Sequence, residues 1–321
     1  MAPAFPITEA QLVALFAESI AYGMHVVTFA ICMYSWIHRS KASKSARSWP
    51  WMSIAIALLI VGTLDVSFNL YHNIIAFILY TGPGGPKGEF EKLSNWVNVM
   101  RSVWARLCAL ISDAALIYRC WVVYSVSTQR WSVVALPILI WLGVAACAVM
   151  DVFYLCTLHL YTSIPLATQM RPWLYAYFSL TLALNVVTTG MIVYPLWKTR
   201  KLTSEYFKLR SRKRDRLKGM IRIFIESALL YTLSVAVSVI MEMVQSNGYY
   251  PSTDISVQLA GFTFDLIIIR IWKGVSTEQT RAFADSMTRS PMAPHKAPWQ
   301  ESSDISTFEV HLETGNSATM V

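Results

Sequence analysis

Ionisable residues set inside apolar runs are the places where this chain could do chemistry. The run LCALISDAALIYRCWVVY (107–124) is almost wholly apolar, yet it carries Asp113 and Arg119 and follows directly on Arg101 and Arg106. An ionised side chain at the centre of a membrane helix costs at least about 2.5–3.5 kcal/mol, so it is expected to face other helices and find a partner there. Sorted by depth at roughly 1.5 Å per residue, the intramembrane polar residues fall into three layers. The inner layer holds Arg119, Glu226 and Arg270. Either Arg119 and Glu226 form an ion pair across the bundle, because the planar guanidinium grips a carboxylate through two nitrogens, or Arg119 and Arg270 both snorkel to the inner headgroups. In the first case Arg270 can share the Glu226 carboxylate.

The middle layer holds Asp65, Asp113 and Asp265, with Asn69 and Asn185 at similar depth. Grouped carboxylates share protons or bind positive charge. The alternative is hydrogen-bonded glue between helices. The outer layer holds Glu18, His72, Arg106 and Asp151. Together these would line a pocket open to the outside, or they form separate helix–helix pairs such as Glu18 with Arg106. Arg101 and Glu242 lie nearer the membrane interface and need no special explanation. The helix holding Asp113 carries one member of every layer, so it is expected at the centre of the bundle.

The elements that position these residues follow from composition. Of 321 residues, 55% are hydrophobic and only 14% charged, where soluble domains carry about 25% charged residues. Mean hydropathy is +0.44. The expected fold is all-α, a polytopic membrane protein with seven transmembrane helices. The spans run over about 12–37, 50–79, 94–124, 131–156, 172–197, 220–244 and 254–272, each near the roughly 20 residues a bilayer core requires. Tryptophans mark many ends (Trp49, Trp51, Trp96, Trp131, Trp173, Trp197, Trp272), as interfacial anchors do. Pro50 and Pro172 sit where a first helical turn tolerates proline.

Orientation comes from the basic residues. With the N-terminus outside, nineteen Lys and Arg fall in inner segments and three in outer ones, a strong positive-inside bias. The stretch 198–218 alone holds Lys198, Arg200, Lys201, Lys208, Arg210, Arg212, Lys213, Arg214, Arg216 and Lys218 against Glu205 and Asp215, which accounts for the whole net charge of +8. One basic segment between apolar runs points to a cytoplasmic loop facing anionic inner-leaflet lipids, not to nucleic acid. Residues 1–11 read as an outer segment without a cleavable signal, and 276–321, rich in Ser, Thr and Pro, as a disordered cytoplasmic tail. Cys32, Cys108, Cys120, Cys147 and Cys156 have neither disulfide nor metal spacing and read as free thiols.

Four ordered blocks carry a family resemblance: LSNWVNVMRSVW (93–104), SDAALIYRCWVVY (112–124), LALNVVTTGMIVYPLW (182–197) and IESALLYTL (225–233). Over about residues 10–275 the chain resembles a family of seven-helix integral membrane proteins abundant in mushroom-forming basidiomycete fungi. The resemblance implies topology and a fungal origin and brings no activity with it. Asp113, Arg119, Asn185 and Glu226 fall inside these blocks. Other seven-helix families fit less well: the last span has no lysine to carry retinal and no Asn-Pro-x-x-Tyr, and of the receptor motif that ends helix three only Arg119 is present.

Three functions remain open. The first is a receptor-like protein with an unknown small-molecule ligand outside and the basic loop contacting an inner partner such as a G protein. The second is an ion- or proton-coupled transporter using the aspartate layer. The third is a structural or lipid-interacting membrane protein. No enzyme, cofactor or metal is expected, and among membranes the plasma membrane is favoured over internal ones.

Overall fold

The computed structural model describes residues 5–42, 49–124, 130–157, 162–206, 226 and 229–288. They form α1 (Ile7–Ala42), α2 (Trp49–Ile74), α3 (Gly85–Phe90), α4 (Trp96–Val123), α5 (Arg130–Thr157), α6 (Arg171–Tyr206), α7 (Leu229–Met243) and α8 (Tyr249–Thr288). A π-helical turn, Ile75–Leu79, extends α2, and a 3₁₀ turn, Ile164–Leu166, precedes α6. No strand occurs among the described residues.

Five of these helices, α1, α2, α5, α6 and α8, are long and apolar enough to cross a membrane. Helix α4 has the length, 28 residues, but carries Arg101, Arg106, Asp113 and Arg119. Helix α7 is shorter and apolar. The distribution of side chains is that of a bundle solvated by hydrocarbon. Phe16, Ile78, Leu139, Val149, Val186 and Leu233 are exposed, while Glu18, Asp65, Asp113, Asp151, Glu242 and Asp265 are buried. In lipid the backbone satisfies itself within each helix, and the polar side chains turn inward to find one another. The chain is a helical membrane protein.

Local chemistry sets the helix ends. Pro50 and Pro172 are the second residues of α2 and α6, where their missing N–H groups cost nothing. Asn95 caps α4, its side chain accepting from the Val97 N–H at 3.2 Å. The loop before α4 is organised by buried Glu89, which accepts from Lys92 Nζ at 2.9 Å and from Asn95. That carboxylate raises the Lys92 ammonium above its ordinary range. The Thr162 N–H donates to the Glu91 carbonyl at 2.9 Å and ties the connection before α6 to this loop.

Three expected boundaries move. Helix α6 continues to Tyr206, so Lys198, Arg200 and Lys201 sit on helical backbone and not in a loop. Lys208, Arg210, Arg212, Lys213, Arg214, Arg216 and Lys218 lie outside the described residues. Helix α8 begins at Tyr249 and runs to Thr288, because STEQTRAFADSMT (276–288) contains neither Gly nor Pro to stop it. The expected tail therefore starts inside a helix, and 289–321 lie outside the described residues. Residues 1–277 make one compact unit, and everything below concerns that unit.

Candidate functional site

Helix α1 presents Gln11, Glu18, His25 and Cys32 at steps of seven residues, close to two helical turns, and all four are buried on one face. Opposite them α2 offers Gly62, Asp65, Asn69 and His72, and α8 offers Asp254, Gln258, Gly261 and Asp265. Gly62 brings backbone to the seam: the Gln258 amide donates to its carbonyl at 3.0 Å, and a side chain at 62 would collide with that amide.

Arg101 of α4 joins the three helices at one end. One terminal nitrogen donates to Asp254 Oδ2 at 3.0 Å. The other donates to Gln11 Oε1 at 3.0 Å and lies 3.2 Å from His72 Nδ1. Asn69 donates to both Asp254 (3.0 Å) and Glu18 (2.6 Å). Gln258 donates to the other Glu18 oxygen at 3.1 Å, and its own carbonyl lies 3.4 Å from His25 Nδ1. The far His25 nitrogen is 3.7 Å from Asp265. A continuous polar seam thus runs from Arg101 to Asp265 through Asp254, Asn69, Glu18, Gln258 and His25. Asp65 meets the Glu18 carboxyl beside it, and its buried Oδ2 receives no N–H or O–H donor.

Arg106 forms a second cluster. It pairs with Asp151 of α5 at 2.9 and 3.0 Å, reaches the Tyr249 hydroxyl at 3.4 Å, and lies 4.3 Å over the Tyr177 ring. Asp113 forms a third, accepting from Asn185 of α6 at 3.4 Å. Arg119 forms a fourth. It donates to the Phe264 carbonyl at 3.4 Å and stands over the Phe264 and Trp51 rings, with Asp265 the carboxylate that acts on it.

The three expected layers are therefore regrouped. Arg119 turns to α2 and α8, while Glu226 is exposed at a position whose chain neighbours lie outside the described residues. Arg270 lies on α8, and its side chain is outside the described set. The three aspartates have separate partners: Asp65 with Glu18, Asp113 with Asn185, and Asp265 with His25. Asn69 belongs with Glu18 and Asp254. The outer four divide, Glu18 and His72 joining the seam while Arg106 pairs with Asp151 and not with Glu18.

Arg101, set aside on sequence as an interfacial residue needing no special explanation, is the hub of the seam. Gln11, His25, Asp254 and Gln258 are further members that depth alone did not mark. The seven-residue spacing on α1 is the signal that would have found two of them. Glu242, also expected to need nothing, is buried with both carboxylate oxygens unbonded, held by the charges of Arg171 and Arg106. All five cysteines are free, four of them buried.

An open pocket lies beside the Arg101 end of the seam. Asp65, Asn98, Arg101, Arg106, Tyr249, Tyr250 and Asp254 are among its walls, with Ile164 from the connection before α6. Among the described residues no three His, Cys, Asp or Glu side chains are placed to hold a metal ion. No protein-family model, curated protein or solved structure matches the chain.

Proposed function

We propose that the chain is a seven-helix receptor-like protein, with α1, α2, α4, α5, α6, α7 and α8 crossing the bilayer. Its N-terminus is outside and its C-terminus in the cytoplasm, with the plasma membrane as its site. The Lys/Arg asymmetry supports this orientation, and the charges of α4 are compatible with a crossing because each faces inward. The fungal seven-helix resemblance accords with it.

The carrying observation is the cavity between α2, α4 and α8. It lies at the end of the bundle bearing the 80–95 and 162–170 connections, with Ile164 in its wall. A ligand entering there meets Arg101 and Asp254, which join α4 to α8 and, through Gln11, His72 and Asn69, also touch α1 and α2. Differential contacts at such a hub are what a ligand needs to shift helix packing at the opposite end. The basic segment then meets anionic inner-leaflet lipids and a cytoplasmic partner of the G-protein kind.

The transport reading is less well supported. Two amides, Asn69 and Gln258, interrupt the seam; they hold charges in place but do not pass protons along. The test is to tag the C-terminus, solubilise native membranes gently and identify co-purifying proteins with and without a non-hydrolysable GTP analogue. A G-protein α subunit released by the nucleotide is the expected result. Its absence from a folded, monodisperse preparation removes the receptor reading.

A further inference from the structure

Helix α4 carries three arginines into the bundle, Arg101, Arg106 and Arg119. The first two have a carboxylate in contact, Arg101 with Asp254 and Arg106 with Asp151. Arg119 does not follow them. It is 3% exposed, yet no described carboxylate makes an ion pair with it. Asp265, the residue after Phe264 on α8, acts on it from farther off and lies 3.7 Å from His25 instead.

The bonds that Arg119 does make are few. One terminal nitrogen donates to the Phe264 carbonyl at 3.4 Å, long for such a bond. Its buried Nε meets no acceptor. The Phe264 and Trp51 rings offset part of the charge but take up no N–H. A guanidinium keeps its proton inside a protein, and a buried charge without a counter-ion is strongly disfavoured.

Arg119 forms part of the wall of a half-open pocket between α4, α6, α7 and α8. The rest of the polar wall supplies donors. Ser112, Thr189 and Tyr231 bring hydroxyls whose protons no described acceptor takes. Asn185 is spent on Asp113 and the Thr181 carbonyl, and Thr263 on the Leu259 carbonyl. Among the described lining residues there is no Asp or Glu. Hydroxyls beside a guanidinium, with no carboxylate in the wall, suit an anion. The enclosed space of about 30 Å³ narrows the class. At roughly 10–15 Å³ for each water it holds about two, which admits a monatomic anion and excludes an organic acid or a phosphate ester.

We infer that Arg119 holds a chloride ion in this pocket, with the free hydroxyls completing its shell. The ion neutralises the guanidinium where no carboxylate does and joins α4 to the helices that bring the hydroxyls. This site goes beyond the receptor reading and does not depend on it, because binding is measured on the purified chain.

The experiment is a thermal-shift titration of the full chain in mild detergent, with sodium gluconate holding the ionic strength constant. The probes are sodium chloride, sodium bromide and sodium acetate. A ligand that binds only the folded chain raises its melting temperature, so chloride and bromide should each give a saturable rise and acetate none. Arg119→Gln is expected to abolish the rise. Thr189→Val keeps the arginine and should weaken the chloride midpoint by about tenfold, the worth of one hydrogen bond to a charged group; it decides the matter if Arg119→Gln does not yield folded protein. Lys92→Met, in the loop before α4, should leave the midpoint unchanged. The proposal is overturned if chloride does no more than gluconate, if acetate matches chloride, or if the folded Arg119 and Thr189 variants respond as the parent does.

Discussion

Gly261 of α8 lies so close to His25 of α1 that a methyl group on its α-carbon would fall inside the imidazole ring. The close approach is what allows His25 to reach Gln258 on one side and Asp265 on the other. Small residues at helix interfaces in membranes serve this purpose, letting backbones come near enough for side chains to bond across. Gly261→Ala is therefore expected to push α1 from α8 and lower the melting temperature in detergent. His25→Ala in the same chain should restore much of the loss by vacating the space. A Gly261→Ala variant as stable as the parent would show that the helices are not held at this distance.

Arg101 is the next point of failure. Removing one partner of a buried ion pair typically costs about 3–5 kcal/mol, because the carboxylate left behind has no compensation. Arg101→Ala strands Asp254 and leaves Gln11 and His72 without their shared donor. Arg101→Lys should recover only part of the loss, since an ammonium cannot reach three partners with a planar fork. Melting temperatures should rank parent, lysine, alanine. A lysine variant equal to the parent would mean that charge alone matters at this position.

The extent to which this was legible in the sequence is set by what depth can and cannot say. Inward-facing charges, free thiols, tryptophan-marked ends and the all-helical architecture follow from composition and run length. Depth along a helix carries no rotational phase, and so Glu18 and Arg106, level with one another, turn to different partners. Asp254 escaped notice for a different reason. An apolar count starts the last span at 254, but the helix starts at Tyr249, which carries Asp254 a full turn into the bundle and within reach of Arg101. The phase was present on α1 in the repeat of Gln11, Glu18 and His25, which a search for heptads of polar residues would read.

The Arg106–Asp151 pair invites a double-mutant cycle. Asp151 is buried and Arg106 partly so, and Arg106 also covers the Tyr177 ring. Arg106→Met and Asp151→Leu should each be strongly destabilising, because each leaves an unpaired buried charge. The double variant is expected within about 1–2 kcal/mol of the parent, since apolar replacement of a whole buried pair is often near neutral. Additive losses would show that the two do not act as a pair.

Lys92 gives a pH dependence with a definite sign. Its ammonium is raised by Glu89, so the interaction stabilises the loop before α4 at neutral pH and is lost as pH climbs through the raised lysine value. Lys92→Met should narrow its deficit against the parent at alkaline pH and keep it at pH about 7. The effect is small because the side chain is partly exposed. A deficit that stays constant across that range would assign the role of Lys92 to its contact with the Tyr80 ring.

Proton flux is the measurement that separates signalling from transport in this bundle. The seam from Arg101 to Asp265 contains titratable groups at both ends and in the middle, but Asn69 separates Asp254 from Glu18, and Gln258 separates Glu18 from His25. A primary amide donates and accepts at fixed atoms and holds no exchangeable charge near neutral pH, so each amide is a break in a relay and a strut in a scaffold. The chain reconstituted into liposomes carrying an internal pH dye is therefore expected to dissipate an imposed pH gradient no faster than protein-free vesicles. Asn69→Asp should change this little, because Arg101 and Gln258 still hold Asp254 and Glu18 where they are. Gradient collapse in the parent that is lost in both His25→Ala and Asp265→Asn, and retained in Asp113→Asn, would mean that protons cross along the seam by way of water, and the receptor reading would give way to transport.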